Sequence, residues 1–159
     1  MSILLSVNPP YAGMIVDGEK TIEWRKKPLP VGTAYIYETK KNGGCGMVIG
    51  EVQVTFSFNV NLLLDLTTHL ERDGKVKQED LIKYAGGRQI IANNVQNAKR
   101  YEKPIPLSSV FMYPCRWEYD CCTCKHWNPN DYGRCEKVRE LHRPPQSWCY
   151  CEDLKGETK

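Results

Sequence analysis

The sequence predicts a mainly β fold with short helices, of the α+β class, arranged as a small barrel or a strongly curved sheet. Two observations support this prediction. Apolar and polar residues alternate over several short segments, which is typical of strands with one buried face. Glycine and proline separate these segments, as expected for turns. No apolar run approaches the roughly 18 residues that a membrane helix needs, so no membrane partner is expected.

Length and composition agree with a small globular protein. The 159 residues suffice for one domain, and the 41% of hydrophobic and 26% of charged residues argue against a disordered chain. The start of the sequence has no basic segment and reaches Asn8 too early for a signal peptide, which predicts a cytoplasmic location. The net charge of +3 is too small to indicate a nucleic-acid partner by itself.

The first elements follow from local signals. The apolar run at residues 3–7 predicts a strand. Asn8 is a good N-cap residue and Pro9 suits the first helical position, so a helix of about ten residues is expected next. Gly18 is a good stop signal for this helix.

Strand patterns dominate the rest of the first 110 residues. Alternation predicts strands at residues 21–25 and 33–39, and β-branched and aromatic residues predict a third at 47–60, with a bend or bulge at Gly50. Residues 77–84 predict a short helix, and strand character returns at 89–101 until two prolines end it. Residues 61–70 are ambiguous between helix and loop.

Several of these segments resemble the ASCH family (activating signal cointegrator homology). The matching pieces occur in the family's order: Ile3-Leu4-Leu5-Ser6-Val7-Asn8-Pro9-Pro10-Tyr11-Ala12, Gly18-Glu19-Lys20-Thr21-Ile22-Glu23-Trp24-Arg25, Ala34-Tyr35-Ile36-Tyr37-Glu38, Val48-Ile49-Gly50-Glu51 and Lys99-Arg100-Tyr101-Glu102-Lys103-Pro104-Ile105-Pro106-Leu107. The resemblance covers about residues 2–110, and the end at residues 144–150 is similar to the tail of some bacterial and phage members.

The resemblance implies a PUA-like β-barrel formed by residues 1–110, a Cys-rich insertion at 111–143, and a final barrel strand and tail at 144–159. It also implies that RNA or a nucleotide binds in a cleft beside the Gly-x-Lys-x-x-Glu-x-Arg segment. Some members of the family are amidohydrolases that remove the acetyl group from acetylated cytidine, and others are nucleases. The predicted partner is therefore RNA, a nucleotide or a nucleoside.

The residues of this segment suit such a ligand. The predicted ligand-binding residues are Lys20, Thr21, Glu23, Arg25 and Lys26. Arginine offers a planar fork to phosphate or a base edge, and lysine supplies a point charge. In a hydrolase, Lys20 and Glu23 would be the catalytic acid and base. However, the amidohydrolases have threonine where this chain has Glu23, so binding is predicted ahead of hydrolysis. The plain alternative is a solvated strand face with an ion pair of little consequence.

Other aromatic and basic residues have ordinary explanations. Trp24, Tyr35 and Tyr37 could stack on bases, but aromatic residues on strands usually belong to the core. Lys40 and Lys41 could line a phosphate path, but lysines of this kind usually belong to solvated turns. His69 has no visible partner.

Cysteine is the compositional outlier. The chain has eight cysteines, and seven of them lie between Cys115 and Cys151. Without a secretion signal, such crowding favours a metal over disulfides. The predicted ligands of one structural, tetrahedral zinc ion are Cys121, Cys124, Cys135 and Cys149, with Cys115, Cys122 and Cys151 as alternates and His126 as a substitute. The other interpretations of these cysteines are an iron–sulfur cluster, disulfides or free thiols.

The sequence therefore predicts an RNA- or nucleotide-binding protein with a structural zinc site. Residues 111–143 have few aliphatic side chains, so metal binding would supply the free energy that folds them. One alternative is a small hydrolase acting on a modified nucleoside or on RNA, that is, a nucleoside amidohydrolase or a ribonuclease. Another alternative is a module that contacts a protein partner through the zinc-binding piece.

Overall fold

One mixed sheet organises the computed structural model, which describes residues 2–62, 68–112 and 139–154. The helices and strands are, in chain order, β1 (Ser2–Val7), α1 (Tyr11–Val16), β2 (Ile22–Arg25), β3 (Gly32–Glu38), β4 (Met47–Val60), α2 (Thr68–Gly74), α3 (Gln78–Ala85), β5 (Ile90–Pro106), β6 (Phe111–Met112), β7 (Arg139–Glu140) and β8 (Trp148–Cys151). Single turns of 3₁₀ helix follow β3 and β5. The prediction of a mainly β fold with short helices is confirmed.

The eight strands lie in the order β2-β5-β4-β3-β1-β8-β6-β7. Only β1 and β3 are parallel, and all other described neighbours are antiparallel. The prediction of a closed barrel is wrong for the described strands, because the two outermost strands, β2 and β7, do not pair with each other. Instead, α2 contacts the chain at the start of β2. There the backbone N–H of Thr21 donates to the carbonyl of Asp73 in α2 over 2.9 Å.

β4 and β5 are unusually long, with 14 and 17 residues, and pair along most of their length. Three register shifts interrupt this pairing. One of them adjoins Gly50, as the bend predicted there requires, and a Cβ at this position would lie 2.3 Å from the carbonyl of Lys99 and 2.7 Å from Val16. Glycine is therefore needed because α1 and β5 both approach the backbone closely.

The N-terminal helix differs from its prediction. α1 has six residues rather than about ten, and its N-cap is Pro10 without a side-chain cap. The Asn8 side chain accepts a hydrogen bond from the Thr39 hydroxyl at 2.6 Å instead of capping the helix. Arg100 from β5 holds the far end of α1 through two hydrogen bonds to the Asp17 carboxylate. Tertiary contacts therefore stabilise a helix that is too short to persist alone.

Three apolar clusters pack on the sheet. The first lies between α1 and the central strands and includes Leu5, Ile15 and Ile36. The second includes Tyr35 and Tyr101. The third lies beneath α2 and α3 and includes Ile22, Trp24 and Leu81. This third cluster docks the two helices beside β2, and that docking forms one side of the candidate site.

Candidate functional site

A cavity of about 610 Å³ opens beside the end of β1, with residues from α1, β2 and α3 in its lining. The segment 144–146, which precedes β8, contributes a further wall. This volume falls within the roughly 300–1,000 Å³ typical of small-molecule pockets. Several separate parts of the chain thus meet at a site large enough for a nucleoside-sized ligand.

Lys20 lies at this cavity and is only 2% exposed. Its Nζ donates to the carbonyls of Ile22 and, over 2.7 Å, Gly74, and it lies 3.5 Å from Oε2 of Glu23. An ammonium group has three N–H donors, so these contacts can use all of them. Burial lowers the pKa of Lys20, and attraction to Glu23 opposes this shift.

Glu23 and Arg25 form the second half of the network. The Arg25 Nε donates to Oε1 of Glu23 over 2.9 Å, and Nη2 lies 2.8 Å from the same oxygen. Nη2 also donates to the carbonyl of Ser6 over 2.7 Å, and Nη1 donates to the Ser147 hydroxyl over 3.3 Å. One guanidinium group therefore joins β2 to β1 and to the chain that precedes β8. Among the described residues, the Ser147 hydroxyl is the one hydrogen-bond partner of Nη1, and a second N–H of this nitrogen has no hydrogen-bond partner there.

Alternation along β2 explains why these charges share a face. Ile22 and Trp24 point into the third apolar cluster, so Glu23 and Arg25 point the other way. The buried Asn93 side chain of β5 donates to the carbonyl of Glu23 over 2.9 Å and fixes the backbone there. The network holds two cations and one carboxylate, and this excess positive charge is largely shielded from water.

Two tyrosines provide aromatic walls. The ring centroid of Tyr11, on α1, lies 5.7 Å from Nζ of Lys20. Tyr84, on α3, is 45% exposed and lines the cavity, and Nζ of Lys26 lies 5.1 Å from its ring centroid. Asp80 lies one helical turn before Tyr84 and also lines the cavity. The rings of Tyr11 and Tyr84 both suit a flat polar ligand.

Trp24 belongs to the core and also contributes to the cavity wall. It is 5% exposed, and its indole N–H is buried with no hydrogen-bond partner among the described residues. The backbone of Gly74 lies against this ring, since a Cβ at Gly74 would be 2.2 Å from the indole nitrogen. Because residue 74 is glycine, the end of α2 can lie against the Trp24 ring, and the Gly74 carbonyl then reaches Nζ of Lys20.

The structure brings Lys20, Glu23 and Arg25 together, as the spacing of the segment predicts. Thr21 is not among the described residues that line the cavity, and its carbonyl accepts a hydrogen bond from the Val95 backbone instead. Lys26 is exposed at the cavity's edge, through its contact with Tyr84. The expectation that Tyr35 and Tyr37 are core residues is confirmed, because both lie in the second apolar cluster.

Sequence reasoning missed Tyr84, Asp80 and the segment 144–146. For Asp80 and Tyr84, the only local signal is that they share one face of α3, beside the buried Leu81. No short-range pattern links α3 or the chain before β8 to β2. These residues reach the site through tertiary packing alone.

A second cavity, of about 640 Å³, lies between the end of β4 and α3. Arg88 is the only charged residue in its described lining, which is otherwise mainly amide and apolar side chains such as Asn59 and Ile82. The described residues around it form no network of buried charges, and we therefore place the candidate site at the first cavity.

Most of the predicted zinc ligands, including Cys121, Cys124 and Cys135, and the alternates Cys115 and Cys122 with His126, lie outside the described residues. Cys149 and Cys151 lie on β8, and both pack against the second apolar cluster. Burial raises the pKa of the Cys149 thiol to about 11. Within residues 2–62, 68–112 and 139–154, no group of three or more His, Cys, Asp or Glu side chains is arranged to hold a metal ion.

The ends of the Cys-rich segment meet at one place. β6 and β7 pair antiparallel, with Met112 opposite Arg139 and Phe111 opposite Glu140. Met112 also pairs with Cys151 on β8. The described residues on the two sides of 113–138 therefore pair with each other in a two-residue ladder, and this ladder lies beside Cys151 of β8.

Comparison with known proteins agrees with this fold. The sequence model of the ASCH domain matches residues 5–105. The crystal structure of ASCH from Zymomonas mobilis is 24% identical, with a TM-score of 0.58 over 67% of this chain and 73% of that chain. A Ser-to-Ala variant of that protein aligns over 94% of this chain and 87% of that one, at 19% identity and a TM-score of 0.62. Comparison with curated protein sequences gave no match.

In the part of the chain that the structure describes, no helix is long and apolar enough to span a membrane.

Proposed function

The chain belongs to the ASCH domain family, and from that premise we propose that it binds RNA at the cavity lined by Lys20, Glu23 and Arg25. The observation that supports this proposal is the network of two cations and one carboxylate that faces a cavity with tyrosine walls. Phosphate, base edges and base faces are three of the chemical features that RNA presents, and cations, polar forks and aromatic rings bind them respectively.

Arg25 is the residue that contacts the ligand in this proposal. Its side chain is 12% exposed, whereas that of Lys20 is 2% exposed and has acceptors for all its donors. The contacts to Glu23 and Ser6 hold the guanidinium plane in a fixed orientation, so little conformational entropy is lost on binding. Lys20 instead acts as a positioning residue that holds Glu23 and the end of α2.

The test is titration of fluorescein-labelled single-stranded RNA, followed by fluorescence anisotropy at several salt concentrations. We expect affinity to fall as salt rises. Arg25→Gln should weaken binding by about tenfold or more, since a charged donor is lost, and Arg25→Lys should lose less. Arg88→Gln, at the second cavity, is the matched control and should bind as the wild type does. A loss with Arg88→Gln alone would place the RNA at the second cavity and overturn the proposal.

Hydrolysis of a modified nucleoside or of RNA is the second candidate function. It is favoured by one observation: Lys20 and Glu23 are 3.5 Å apart, and burial lowers the pKa of Lys20, as a general base requires. Incubation with N4-acetylcytidine and with labelled RNA, followed by chromatography, tests this function. Turnover that is lost in Lys20→Arg would establish it, and no turnover by the wild type would leave binding alone.

We also propose that the Cys-rich segment holds one structural zinc ion, with Cys149 among its ligands. This proposal is supported by the position of Cys149 on β8, two residues from Cys151, which pairs with Met112 at the ladder of β6 and β7. Cys149 is half-buried, whereas Cys151 is 1% exposed and packed among apolar residues, so Cys149 is the more accessible thiol.

Metal content measured by mass spectrometry on protein purified without chelator, together with a thiol count, tests the zinc proposal. We expect about one zinc per chain and mostly reduced thiols. Cys149→Ser should lower the zinc content, and Cys45→Ser, which removes an exposed cysteine far from this segment in sequence, should not. Oxidised cysteines without metal would overturn the proposal and also the expected cytoplasmic location.

A further inference from the structure

Tyr84 and Lys26 form a rim at the edge of the candidate site. Tyr84 is 45% exposed and lines the cavity, and the ammonium of Lys26 lies 5.1 Å from its ring centroid. Both residues are on the solvent side, so a ligand entering the cavity can reach them without a rearrangement of the core. The cation–π contact between them is of the weak, exposed kind and can be exchanged for a ligand contact.

The charges of the described residues that line the cavity cancel. Lys20 and Arg25 supply two positive charges, and Glu23 and Asp80 supply two negative ones. The ammonium of Lys20 is already used by two carbonyls and Glu23. A phosphate group therefore gains little inside the cavity, where Asp80 also opposes it.

A nucleobase matches the same lining better. It is uncharged and flat, and it presents donors and acceptors at its edge. Arg25 offers an N–H donor and the Tyr84 ring offers a stacking surface. The Asp80 carboxylate, one oxygen of which lies 3.7 Å from Nζ of Lys83, offers an acceptor. A further cation lies outside the cavity, since Lys26 is exposed at the rim against the Tyr84 ring.

On the basis of the proposed function, we propose that the RNA is single-stranded, with one unpaired base inserted into the cavity against Tyr84 and a neighbouring phosphate bound by Lys26. A base inside a duplex is stacked on both faces and paired at its edge, so it cannot present these surfaces to Tyr84 and Arg25. An unpaired base can be turned out of the strand into the cavity. Tyr84 then determines the preference for single-stranded over double-stranded RNA.

The first experiment uses the full chain and two fluorescein-labelled RNAs of equal length, a single strand and a blunt duplex, compared by anisotropy at one salt concentration. We expect the single strand to bind at least about tenfold more tightly, since the duplex loses the base contact. A single abasic nucleotide moved along the bound strand should weaken binding strongly at one position. Equal affinity for both RNAs, or equal tolerance of the abasic nucleotide everywhere, would overturn the proposal.

The second experiment tests the rim residues. Tyr84→Leu should weaken single-strand binding by about tenfold, and Tyr84→Phe should restore it to within about twofold, because stacking needs only the ring. Phe56→Leu removes a 51% exposed aromatic ring that does not line the cavity, and it should have no effect. Unchanged affinity in Tyr84→Leu would exclude the stacking role.

Lys26→Gln tests the phosphate contact. We expect the slope of log affinity against log salt to fall by about 0.7, the amount for one phosphate on a single strand. Lys99→Gln changes a 55% exposed lysine outside the cavity lining, and it should leave the slope unchanged. Failure of the wild type to bind any RNA would reject the proposed function and the rim with it. Binding that depends on Arg25 but not on Tyr84 would reject the rim alone.

Discussion

Two carboxylates of this protein are held by similar partners in different settings. Glu23 lies between Lys20 and Arg25 at the cavity, and it is 6% exposed. Glu51, on β4, accepts hydrogen bonds from Lys99 at 2.9 Å and from the hydroxyl of Tyr101 at 2.7 Å. Both networks thus place a carboxylate between a lysine and a second donor, which is an arginine at Glu23 and a tyrosine at Glu51.

The difference lies in what surrounds the cation. The side chain of Lys20 is 2% exposed and that of Lys99 is 55% exposed. Lys20 is shielded by the end of α2 and faces a cavity, whereas Lys99 extends into solvent from the sheet. A carboxylate beside a lysine therefore does not by itself mark a functional site. Burial of the cation and access to a cavity distinguish the first network.

The largest expected effect is that of removing the carboxylate at the cavity. Glu23→Ala leaves the charges of Lys20 and Arg25 buried and unpaired, which should lower the free energy of unfolding by about 3–5 kcal/mol. Urea denaturation at neutral pH measures this loss. A loss below about 1 kcal/mol would mean that water already solvates the network, and the contrast with Glu51 would disappear.

Gly74→Ala should have the next largest effect. The new Cβ would lie 2.2 Å from the indole nitrogen of Trp24, a buried ring that has little room to move. We expect a loss of about 1–3 kcal/mol from overpacking, with weaker RNA binding because the carbonyl of Gly74 leaves Lys20. Gly13→Ala is the control, since its Cβ meets only Arg100 at 3.4 Å and alanine favours the helix. Equal stability of the two variants in urea would show that α2 is not docked as described.

The Glu51 network should appear in the pH dependence of stability. Burial alone would raise the pKa of Glu51, but the hydrogen bonds from Lys99 and Tyr101 hold it below its ordinary value. A carboxyl group with a lowered pKa stabilises the fold above its ordinary pKa of about 4.3, and this contribution is lost as the pH falls. We expect Glu51→Gln to cost about 1–2 kcal/mol at pH 7.

That cost should shrink below about pH 4, because the wild-type carboxyl is then protonated as well. Urea denaturation of both proteins at several pH values measures the difference. A cost that stays constant from pH 7 to pH 3 would mean that packing, not the charge of Glu51, is responsible.

The smallest expected effect is that of Lys99→Met. This lysine is more than half exposed, so its ion pair with Glu51 should contribute less than about 1 kcal/mol. Thermal unfolding at low and high salt measures the contribution, which should nearly vanish at high salt. A loss as large as that of Glu23→Ala would show that exposure does not separate the two networks.

Local pattern was sufficient for much of the fold. Alternation at residues 21–25 and 33–39 identified β2 and β3, because side chains of a strand point to opposite faces in turn. The same alternation placed Glu23 and Arg25 on one face. The helix at 77–84 was also found, within one residue at each end.

Pairing and closure could not be predicted. The barrel expected from strand number and from family resemblance is an open sheet in the described residues, because closure depends on whether the outermost strands meet. The Asn8 side chain, which was expected to cap α1, instead accepts a hydrogen bond from Thr39, 31 residues away in the sequence. In both cases a long-range contact overrode a sound local preference.

The sequence by itself determined the residue types of the site, their shared strand face and the family to which the chain belongs. Tertiary structure decided that Lys20 is buried against Gly74, 54 residues away, and that Arg25 reaches Ser147, 122 residues away. It also decided that Tyr84 lies at the cavity. The physical reason is that periodicity records only which way a side chain points, whereas burial and pKa depend on the segments that pack against it from elsewhere in the chain.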